Sequence, residues 1–332
     1  MSTPLALADR FGRIATDLRV SLTDRCNLRC SYCMPAEGLD WLPDEKVLTD
    51  DEVVRLIGVA VNLLGVREVR FTGGEPLVRR GLVDIVRRTR TLGPVDISVT
   101  TNALGLARTA VALKEAGLDR VNVSLDSVRP ETFAEITRRD RLHDVLAGLE
   151  AAREAGLGPV KVNAVLLRGI NDAQAPELLR WAMAEQYQLR FIEQMPLDAQ
   201  HRWRRTEMIT AEEILASLNE HFELTPARAP RGSAPAELFT VDGGPHTVGV
   251  IASVTRPFCG DCDRVRLTAD GQVRDCLFAR TESDLRTPLR GGADDEELAR
   301  RWVQAMRGKQ PGHGINDETF LQPARPMSAI GG

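Results

Sequence analysis

The first two thirds of the chain alternate short apolar segments with helical segments. The predicted strands are Leu18–Thr23, Glu68–Thr72, Asp96–Thr100, Arg120–Leu125, Val160–Leu166 and Leu189–Glu193. Helices are predicted between them, near 49–64, 83–91, 107–116, 130–136, 143–155 and 176–185. The repeat of about 25–35 residues is the length of a crossover between parallel strands. Continuous apolar strands of this kind indicate an α/β fold whose parallel sheet is covered by helices. Periodicity alone leaves an open sheet and a partial barrel as alternatives.

The pattern changes near residue 225. A helix is predicted over Thr210–Phe222, and the stretch Thr225–Pro235, rich in Pro, Ala and Arg, is predicted to be a linker or lateral loop. Two strand-like runs follow, Ala236–Val241 and Thr247–Val254, and then a helix near Asp294–Arg307. We therefore predict a large domain over residues 1–225 and a smaller α+β domain over residues 226–332.

Composition narrows the classes of protein that need consideration. The 332 residues contain no apolar run long enough to span a membrane, and no basic start followed by an apolar stretch. These features predict a cytoplasmic protein without a membrane partner. The formal net charge of −4 gives no general attraction to nucleic acid polymers, so a phosphate-binding site has to be built locally.

Three cysteines follow the first predicted strand. Cys26, Cys30 and Cys33 have the spacing C-x3-C-x2-C and lie where a strand ends, the position at which α/β proteins place their chemistry. A four-iron cluster usually takes four cysteines, so a cluster held by three leaves one iron open to another ligand. A zinc site and a chance group of buried thiols are the alternatives.

A Gly-Gly turn follows the second predicted strand. Gly73 and Gly74 stand in the segment Thr72-Gly73-Gly74-Glu75-Pro76, and glycines at a strand end allow a ligand to approach the backbone closely. A Gly-Gly turn is more often structural than functional when it occurs alone.

A second group of three cysteines lies near the C-terminus. Cys259, Cys262 and Cys276 would also leave one iron open, although a zinc site completed by His246 is an alternative. A disulfide framework is improbable in a chain of this length without a secretory signal. Arg264 and Arg266 alternate in a strand-like run, so both guanidiniums face one side and suit a polyanion. A solvated edge strand is the competing interpretation.

Together these motifs resemble a known enzyme family. The first triplet, with an aromatic residue before its last cysteine, and the Gly-Gly-Glu-Pro segment resemble the radical S-adenosylmethionine (SAM) superfamily. The second triplet, the Arg-x-Arg pair and the last residues Gly331-Gly332 resemble the GTP 3′,8-cyclase family within it. Further matches are Asp17-Leu18-Arg19, Thr23-Asp24-Arg25, Arg70, Thr100-Thr101-Asn102, Asn122–Asp126, Arg190–Glu193 and Ile330-Gly331-Gly332.

The resemblance implies a fold and a set of roles. It implies a partial (β/α)6 TIM-like barrel with its site at the C-terminal ends of the strands, and two [4Fe-4S] clusters each held by three cysteines. The first triplet would hold the SAM cluster and the second triplet a cluster that meets the guanine. The implied SAM contacts are Tyr32, Gly74, Ser124 and Met195. The implied GTP contacts are Arg19, Arg70, Thr100, Lys161, Arg264 and Arg266. The Gly331, Gly332 tail would reach into the site.

The resemblance also implies an activity and partners. A 5′-deoxyadenosyl radical from SAM would remove the 3′ hydrogen of GTP, whose carbon radical attacks C8, in the first step of molybdenum cofactor biosynthesis. Implied partners are a flavodoxin- or ferredoxin-like electron donor and cyclic pyranopterin monophosphate synthase as the next enzyme, with the chain a monomer or homodimer. The alternatives are a peptide-modifying radical SAM enzyme with an auxiliary cluster and a non-catalytic metal-binding or electron-transfer protein.

Overall fold

Six parallel strands form the centre of one sheet. The computed structural model describes residues 5–228 and 230–331. In chain order the central strands are β1 (Asp17–Ser21), β2 (Glu68–Thr72), β3 (Asp96–Thr101), β4 (Arg120–Ser124), β5 (Lys161–Val165) and β6 (Gln188–Ile192). The helices between them are α1 (Asp50–Asn62), α2 (Leu82–Arg90), α3 (Leu106–Glu115), α4 (Pro130–Thr137), α5 (Leu142–Glu154) and α6 (Ala175–Ala184), and α7 (Ala211–Asn219) follows β6. The predicted α/β fold with a parallel sheet is confirmed.

Local signals explain why the predicted boundaries are close to the observed ones. Thr49 begins α1 with a capping box, in which its side chain accepts from Glu52 N and the Glu52 side chain accepts from Thr49 N. This exchange satisfies backbone donors that a helix N-terminus leaves without partners. The strand residues that face the helices are apolar, because the helices pack over this side of the sheet and bury residues such as Val69, Phe71 and Val99 completely.

The C-terminal segment extends both edges of this sheet. It contributes β7 (Leu224–Pro226), β8 (Glu237–Val241), β9 (Thr247–Ile251), β10 (Arg264–Leu267), β11 (Gln272–Arg274) and β12 (Ser283–Asp284), with helices α8 (Arg286–Arg290), α9 (Asp295–Met306) and α10 (Met327–Ile330). The strand order is β12-β11-β10-β1-β2-β3-β4-β5-β6-β9-β8-β7. Strand β10 pairs in parallel with β1, and β9 pairs in parallel with β6. The two predicted domains therefore share one sheet, and the division at residue 225 stays a prediction.

The sheet curves around a single cavity. Ile251 of β9 and Arg264 of β10 line the same cavity although all six central strands lie between them in the sheet. Residues of each of those six strands line it as well, Arg19 and Arg190 among them. This arrangement is that of a partial barrel with its interior at the C-terminal ends of the strands. None of the described helices is long and apolar enough to cross a membrane.

Candidate active site

The cavity brings together most of the residues singled out in the sequence. Its volume is about 290 Å³. The predicted site residues that line it are Tyr32, Cys33, Ser124, Met195, Arg19, Arg70, Thr100, Arg264, Arg266, Cys259, Cys262 and Cys276. Cys26, Cys30, Gly74, Lys161 and Gly331 do not line it, and Gly332 lies outside the described residues.

The first cysteine triplet lies in a loop that leaves β1 and turns tightly. Cys30 O accepts from Cys33 N at 2.9 Å and from Met34 N at 3.1 Å, which brings the last two cysteines onto one turn. Burial raises the pKa of Cys26 to about 11 and that of Cys33 to about 12, and it raises that of Cys30 as well. A bound metal supplies the positive charge that such thiols need to ionise.

The Gly-Gly turn after β2 packs against this loop. Gly74 N donates to Thr23 O at 2.7 Å, and Glu75 N donates to Arg25 O at 2.8 Å. A Cβ atom on Gly74 would overlap the carbonyl oxygens of Asp24 and Arg25, so only glycine allows this approach. The close backbone contact made by these glycines is thus with the cysteine loop itself.

The Glu75 carboxylate ties the loop after β3 to this turn. It accepts from Thr101 Oγ1 at 2.6 Å and from Asn102 N at 2.7 Å. Burial raises the pKa of Glu75 to about 7 despite these hydrogen bonds. Asn102 Nδ2 in turn donates to Asn27 Oδ1 at 2.8 Å and lies 3.9 Å from Cys26 Sγ.

Asp126 lines the cavity beside Tyr32, although sequence reasoning gave it no role. Tyr32 Oη donates to Asp126 Oδ2 at 2.9 Å, and Val165 N donates to Asp126 Oδ1 at 2.8 Å. Burial raises the pKa of Asp126 to about 6, which is still below neutral pH, so the group remains mainly an ionised carboxylate that accepts these two hydrogen bonds. The motif Asn122–Asp126 is visible in the sequence, but only the fold shows that the side chain of its last residue points into the cavity.

Arginines form a row across three neighbouring strands. Arg19 is paired in register with Arg266 on one side and with Arg70 on the other. Adjacent strands are about 4.8 Å apart, so the three guanidiniums follow one another at intervals suited to a chain of phosphates. Strand β10 is fully buried and lies between β1 and β11, so the solvated edge strand is wrong for Arg264 and Arg266.

One carboxylate faces these arginines. Asp17 Oδ2 lies 3.8 Å from Arg19 Nη2, from Arg70 Nη2 and from Arg264 Nε. Burial alone would raise the pKa of Asp17, but the surrounding guanidiniums, Arg19 foremost, lower it. Buried donors without a hydrogen-bond partner remain at Arg19 Nε and Arg264 Nε. The cluster therefore has more positive charge and more donors than Asp17 can satisfy, as a polyanion site requires.

Lys161 and Arg190 extend the positive charge toward β6. Burial, followed by repulsion from Arg190, Arg120 and Arg70, lowers the pKa of Lys161 to about 8. Burial and repulsion from Arg70 also lower the pKa of Arg190 to about 10. Arg190 lines the cavity, whereas Lys161 does not. The motif containing Arg190 was noted in the sequence, but no signal distinguished its guanidinium from those of surface arginines.

The second cysteine triplet lines the same cavity as Tyr32 and Cys33 and comes from the C-terminal segment. Cys259 begins a short 3-10 turn, Cys262 precedes β10, and Cys276 follows β11. Lys309 is buried, and its Nζ lies 3.4 Å from Cys262 Sγ and donates to Arg264 O at 2.8 Å. Burial would raise the pKa of Cys262, but Lys309 and Arg264 lower it below its ordinary value. Sequence reasoning missed Lys309.

The histidines are not placed to complete a zinc site. His246 precedes β9 and lies at its N-terminal end, whereas the cavity is at the C-terminal ends of the parallel strands. His313 lines the cavity, but its Nε2 is bonded to Ser253 O at 3.0 Å and its Nδ1 accepts from Ile315 N at 3.2 Å. Among the described residues no three His, Cys, Asp or Glu side chains are arranged to hold a single metal ion. In an iron–sulfur cluster each cysteine binds a different iron, whereas a zinc site brings all of its ligands to one ion. The two groups of three cysteines therefore fit clusters better than zinc ions.

Two segments of uncertain role in the sequence reach the cavity. In the stretch 227–235, Pro235 lines the cavity and Ser233 O accepts from Arg264 Nη2. At the C-terminus, Ser21 Oγ donates to Ile330 O at 2.7 Å, and Arg266 Nη1 donates to Gly331 O. The tail therefore connects the end of β1 to the arginine row.

Comparison with known proteins places these features in a family. The Radical SAM superfamily model matches residues 20–182, and the Molybdenum Cofactor Synthesis C model matches residues 187–315. The chain is 67% identical to the GTP 3′,8-cyclase of Streptomyces coelicolor, over 98% of this chain and 96% of that one. The chain belongs to the GTP 3′,8-cyclase family. Its identity to the GTP 3′,8-cyclase of Corynebacterium glutamicum is 59%, over 98% of this chain and 89% of that one.

Solved structures agree with the fold of this GTP 3′,8-cyclase family member. The crystal structure of Streptococcus suis SuiB bound to S-adenosylmethionine aligns with a TM-score of 0.60 and 13% identity, over 92% of this chain and 69% of that one. A second SuiB structure aligns with a TM-score of 0.61 and 15% identity, over 91% and 68% of the two chains. At such identity the likeness shows the fold alone, and it confirms the predicted radical SAM barrel.

Proposed function

We propose that the chain is a GTP 3′,8-cyclase, a radical SAM lyase that converts GTP to (8S)-3′,8-cyclo-7,8-dihydroguanosine 5′-triphosphate in the first step of molybdenum cofactor biosynthesis. The observation that supports this most is the cavity in which Cys33 of the first triplet, the whole second triplet and five arginines meet. The Molybdenum Cofactor Synthesis C match over residues 187–315 and the names of the relatives agree with it.

The two triplets would hold two [4Fe-4S] clusters, and the chain's residues would orient the ligands between them. SAM, bound at the first cluster, supplies a 5′-deoxyadenosyl radical that removes the 3′ hydrogen of the ribose. We assign Tyr32, Ser124 and Met195 to the SAM side of the cavity, whereas Gly74, which does not line the cavity, stays a prediction as a SAM contact. The arginine row and Thr100 would hold the triphosphate, with Lys161 adding charge nearby. Apolar side chains at the second triplet, Phe258 and Phe278 among them, keep water from the reacting atoms.

The remaining assignments follow from this activity as proposals. The electron donor is a flavodoxin- or ferredoxin-like protein, the product passes to cyclic pyranopterin monophosphate synthase, and the enzyme works in the cytoplasm as a monomer or homodimer. A peptide-modifying function has no specific support, because the likeness to SuiB, which was also crystallised bound to the precursor peptide SuiA, is limited to the fold. A non-catalytic role would not explain why the protein buries a row of arginines that includes donors without hydrogen-bond partners.

The direct test is an anaerobic assay of reconstituted protein with SAM, dithionite and GTP. Mass spectrometry should find 5′-deoxyadenosine that depends on GTP and a nucleotide with the mass of GTP but a different retention time. Cys30→Ala protein, which lacks a ligand of the first cluster, is the control and should form neither product. If 5′-deoxyadenosine forms while GTP stays unchanged, the radical SAM assignment holds and the substrate is wrong.

Lys161 should make the affinity for GTP depend on pH. Its pKa is lowered to about 8, so the ammonium loses its proton, and its attraction for phosphate, as the pH rises through this value. A nearby charge in a partly buried site contributes about 1 kcal/mol, so KM for GTP should rise several-fold between pH 7 and pH 9. Lys161→Arg keeps its charge in this range and should flatten the profile. Parallel KM profiles for the two proteins would contradict a phosphate contact.

A further inference from the structure

A second cavity opens beside the first cysteine loop, away from the catalytic cavity. Its volume is about 400 Å³, and it is lined by Asn27, by the start of α3 and by the connection between α4 and α5. No described residue lines both cavities. Asn27 follows Cys26 directly in the chain and is exposed. Asn27 is thus the residue that connects this cavity to the first cysteine loop, and the proposed reaction leaves the residues of the cavity unused.

Guanidiniums dominate the charge of this second cavity. Arg108, Arg139 and Arg141 line it together with Asp140 and Asp144. Arg141 is paired with Asp144, whereas Arg108 and Arg139 are exposed and form no ion pair with any residue in the described part of the chain. Because the whole chain carries a formal net charge of −4, this local positive charge is opposite in sign to that of the protein. Such a patch attracts an acidic partner from solution.

The loop beneath the patch carries further guanidiniums. Arg29 Nη1 donates to Cys26 O at 2.7 Å and to Leu28 O at 2.8 Å. Arg138 Nη1 donates to Arg29 O at 3.0 Å and to Met34 O at 2.9 Å. These bonds hold the cysteine loop against Arg138 at the C-terminal end of α4.

The path from the exposed surface to a cysteine sulfur is short. Asn102 is buried, and its Nδ2 bridges Asn27 Oδ1 at 2.8 Å and Cys26 Sγ at 3.9 Å. Only one side chain and one hydrogen bond thus separate the exposed Asn27 from the Cys26 sulfur. Another cysteine of the same triplet, Cys33, lines the cavity that we assign to SAM and GTP.

We propose that the cavity rimmed by Arg108, Arg139 and Arg141 is the docking site of an acidic one-electron carrier protein, which reduces the first cluster from the Asn27 side. The inference rests on the proposed function, because only a radical SAM enzyme needs an electron at this triplet. The reduced carrier loses one electron, which passes to the sulfonium of SAM and breaks one C–S bond. The products of that step are methionine and the 5′-deoxyadenosyl radical, and the carrier is left oxidised.

Charge reversal at the patch tests the docking site. In the Arg108→Glu/Arg139→Glu protein, with reduced flavodoxin as the donor at low ionic strength, KM for flavodoxin should rise at least tenfold. In the parent protein, added salt should lower the rate with flavodoxin, because it screens the attraction that steers the two proteins together. In the double variant this dependence on salt should largely disappear. With dithionite, which needs no docking surface, the rates of 5′-deoxyadenosine formation and GTP consumption should stay within twofold of the parent protein.

A matched control separates docking from net charge. Arg67 is exposed just before β2, at the N-terminal end of that strand, and Arg87 is exposed on α2; neither lines the second cavity. Arg67→Glu/Arg87→Glu changes the net charge equally and should leave KM for flavodoxin unchanged. An equal rise in both double variants, or a parallel fall of the dithionite-supported rate, would overturn the proposal. Failure of the proposed function is distinct, because the parent protein would then not consume GTP even with dithionite.

Discussion

Replacing Arg266 with alanine is expected to lower kcat/KM for GTP by about 30-fold or more, with both clusters still assembled. Arg266 is 4% exposed, lines the cavity and is paired in register with Arg19. Removing one partner of a buried, hydrogen-bonded charge pair costs about 2–5 kcal/mol, and every 1.4 kcal/mol is a factor of ten. GTP consumption by the reconstituted variant, with iron content and SAM binding measured alongside, tests this expectation.

The same substitution should not destabilise the protein without GTP. Burial lowers the pKa of Arg266 to about 10, which means that the folded protein disfavours its charge. In the described part of the chain, Asp17 is the one carboxylate within ion-pair distance of Arg19 and Arg70, and Arg264 has only Asp263 besides it, so the cations repel one another. We expect a thermal midpoint equal to or above that of the parent protein, since binding sites often retain charge at the expense of stability.

Two further variants identify which property of Arg266 matters. Arg266→Lys keeps the positive charge but loses the planar fork, so part of the activity should return. Arg266→Met keeps most of the apolar stem and should be as inactive as the alanine variant. Turnover at the parent rate in the alanine protein, or a large loss of thermal stability there, would contradict a role in holding the triphosphate.

Much of the barrel was predictable because its signals are local. Strand β2 was predicted with its observed bounds, and the capping box at Thr49 marked the start of α1. The two cysteine triplets were visible because thiol spacing within a loop reflects the metal centre that the loop holds. Features of this kind depend on residues within one or two turns of each other, which a sequence displays directly.

The contacts that build the cavity were harder to predict from the sequence, because they join distant parts of the chain. Asp17 is paired in register with Arg264 across a separation of more than two hundred residues, and no periodicity reveals which strands pair. The tail contact between Arg266 and Gly331 and the contact of Ser233 with Arg264 are of the same kind. Arg190 and Lys309 carry charges that resemble those of surface residues until the fold buries them.

The assignment of the second triplet leads to the other large effect. Cys276→Ala is expected to remove about half of the bound iron and to abolish cyclisation of GTP, because an open cluster with only two cysteine ligands is poorly held. Cys276 lines the cavity with Cys259 and Cys262, and burial raises its pKa to about 11, so without a metal it would remain a neutral thiol. The first triplet lies in a separate loop after β1 and should still assemble its cluster.

A second cysteine variant provides the matched control for this prediction. Cys33→Ala should also lose about half of the iron, but it should lose SAM cleavage as well, because its cluster is the one that we assign to SAM. Cys276→Ala should still bind SAM and release 5′-deoxyadenosine slowly with dithionite, without any change in GTP. Iron and sulfide analysis together with the two product assays distinguishes the variants. An unchanged iron content in Cys276→Ala would show that Cys276 is not a ligand, and the loss of 5′-deoxyadenosine from both proteins would mean that the triplets do not hold independent clusters.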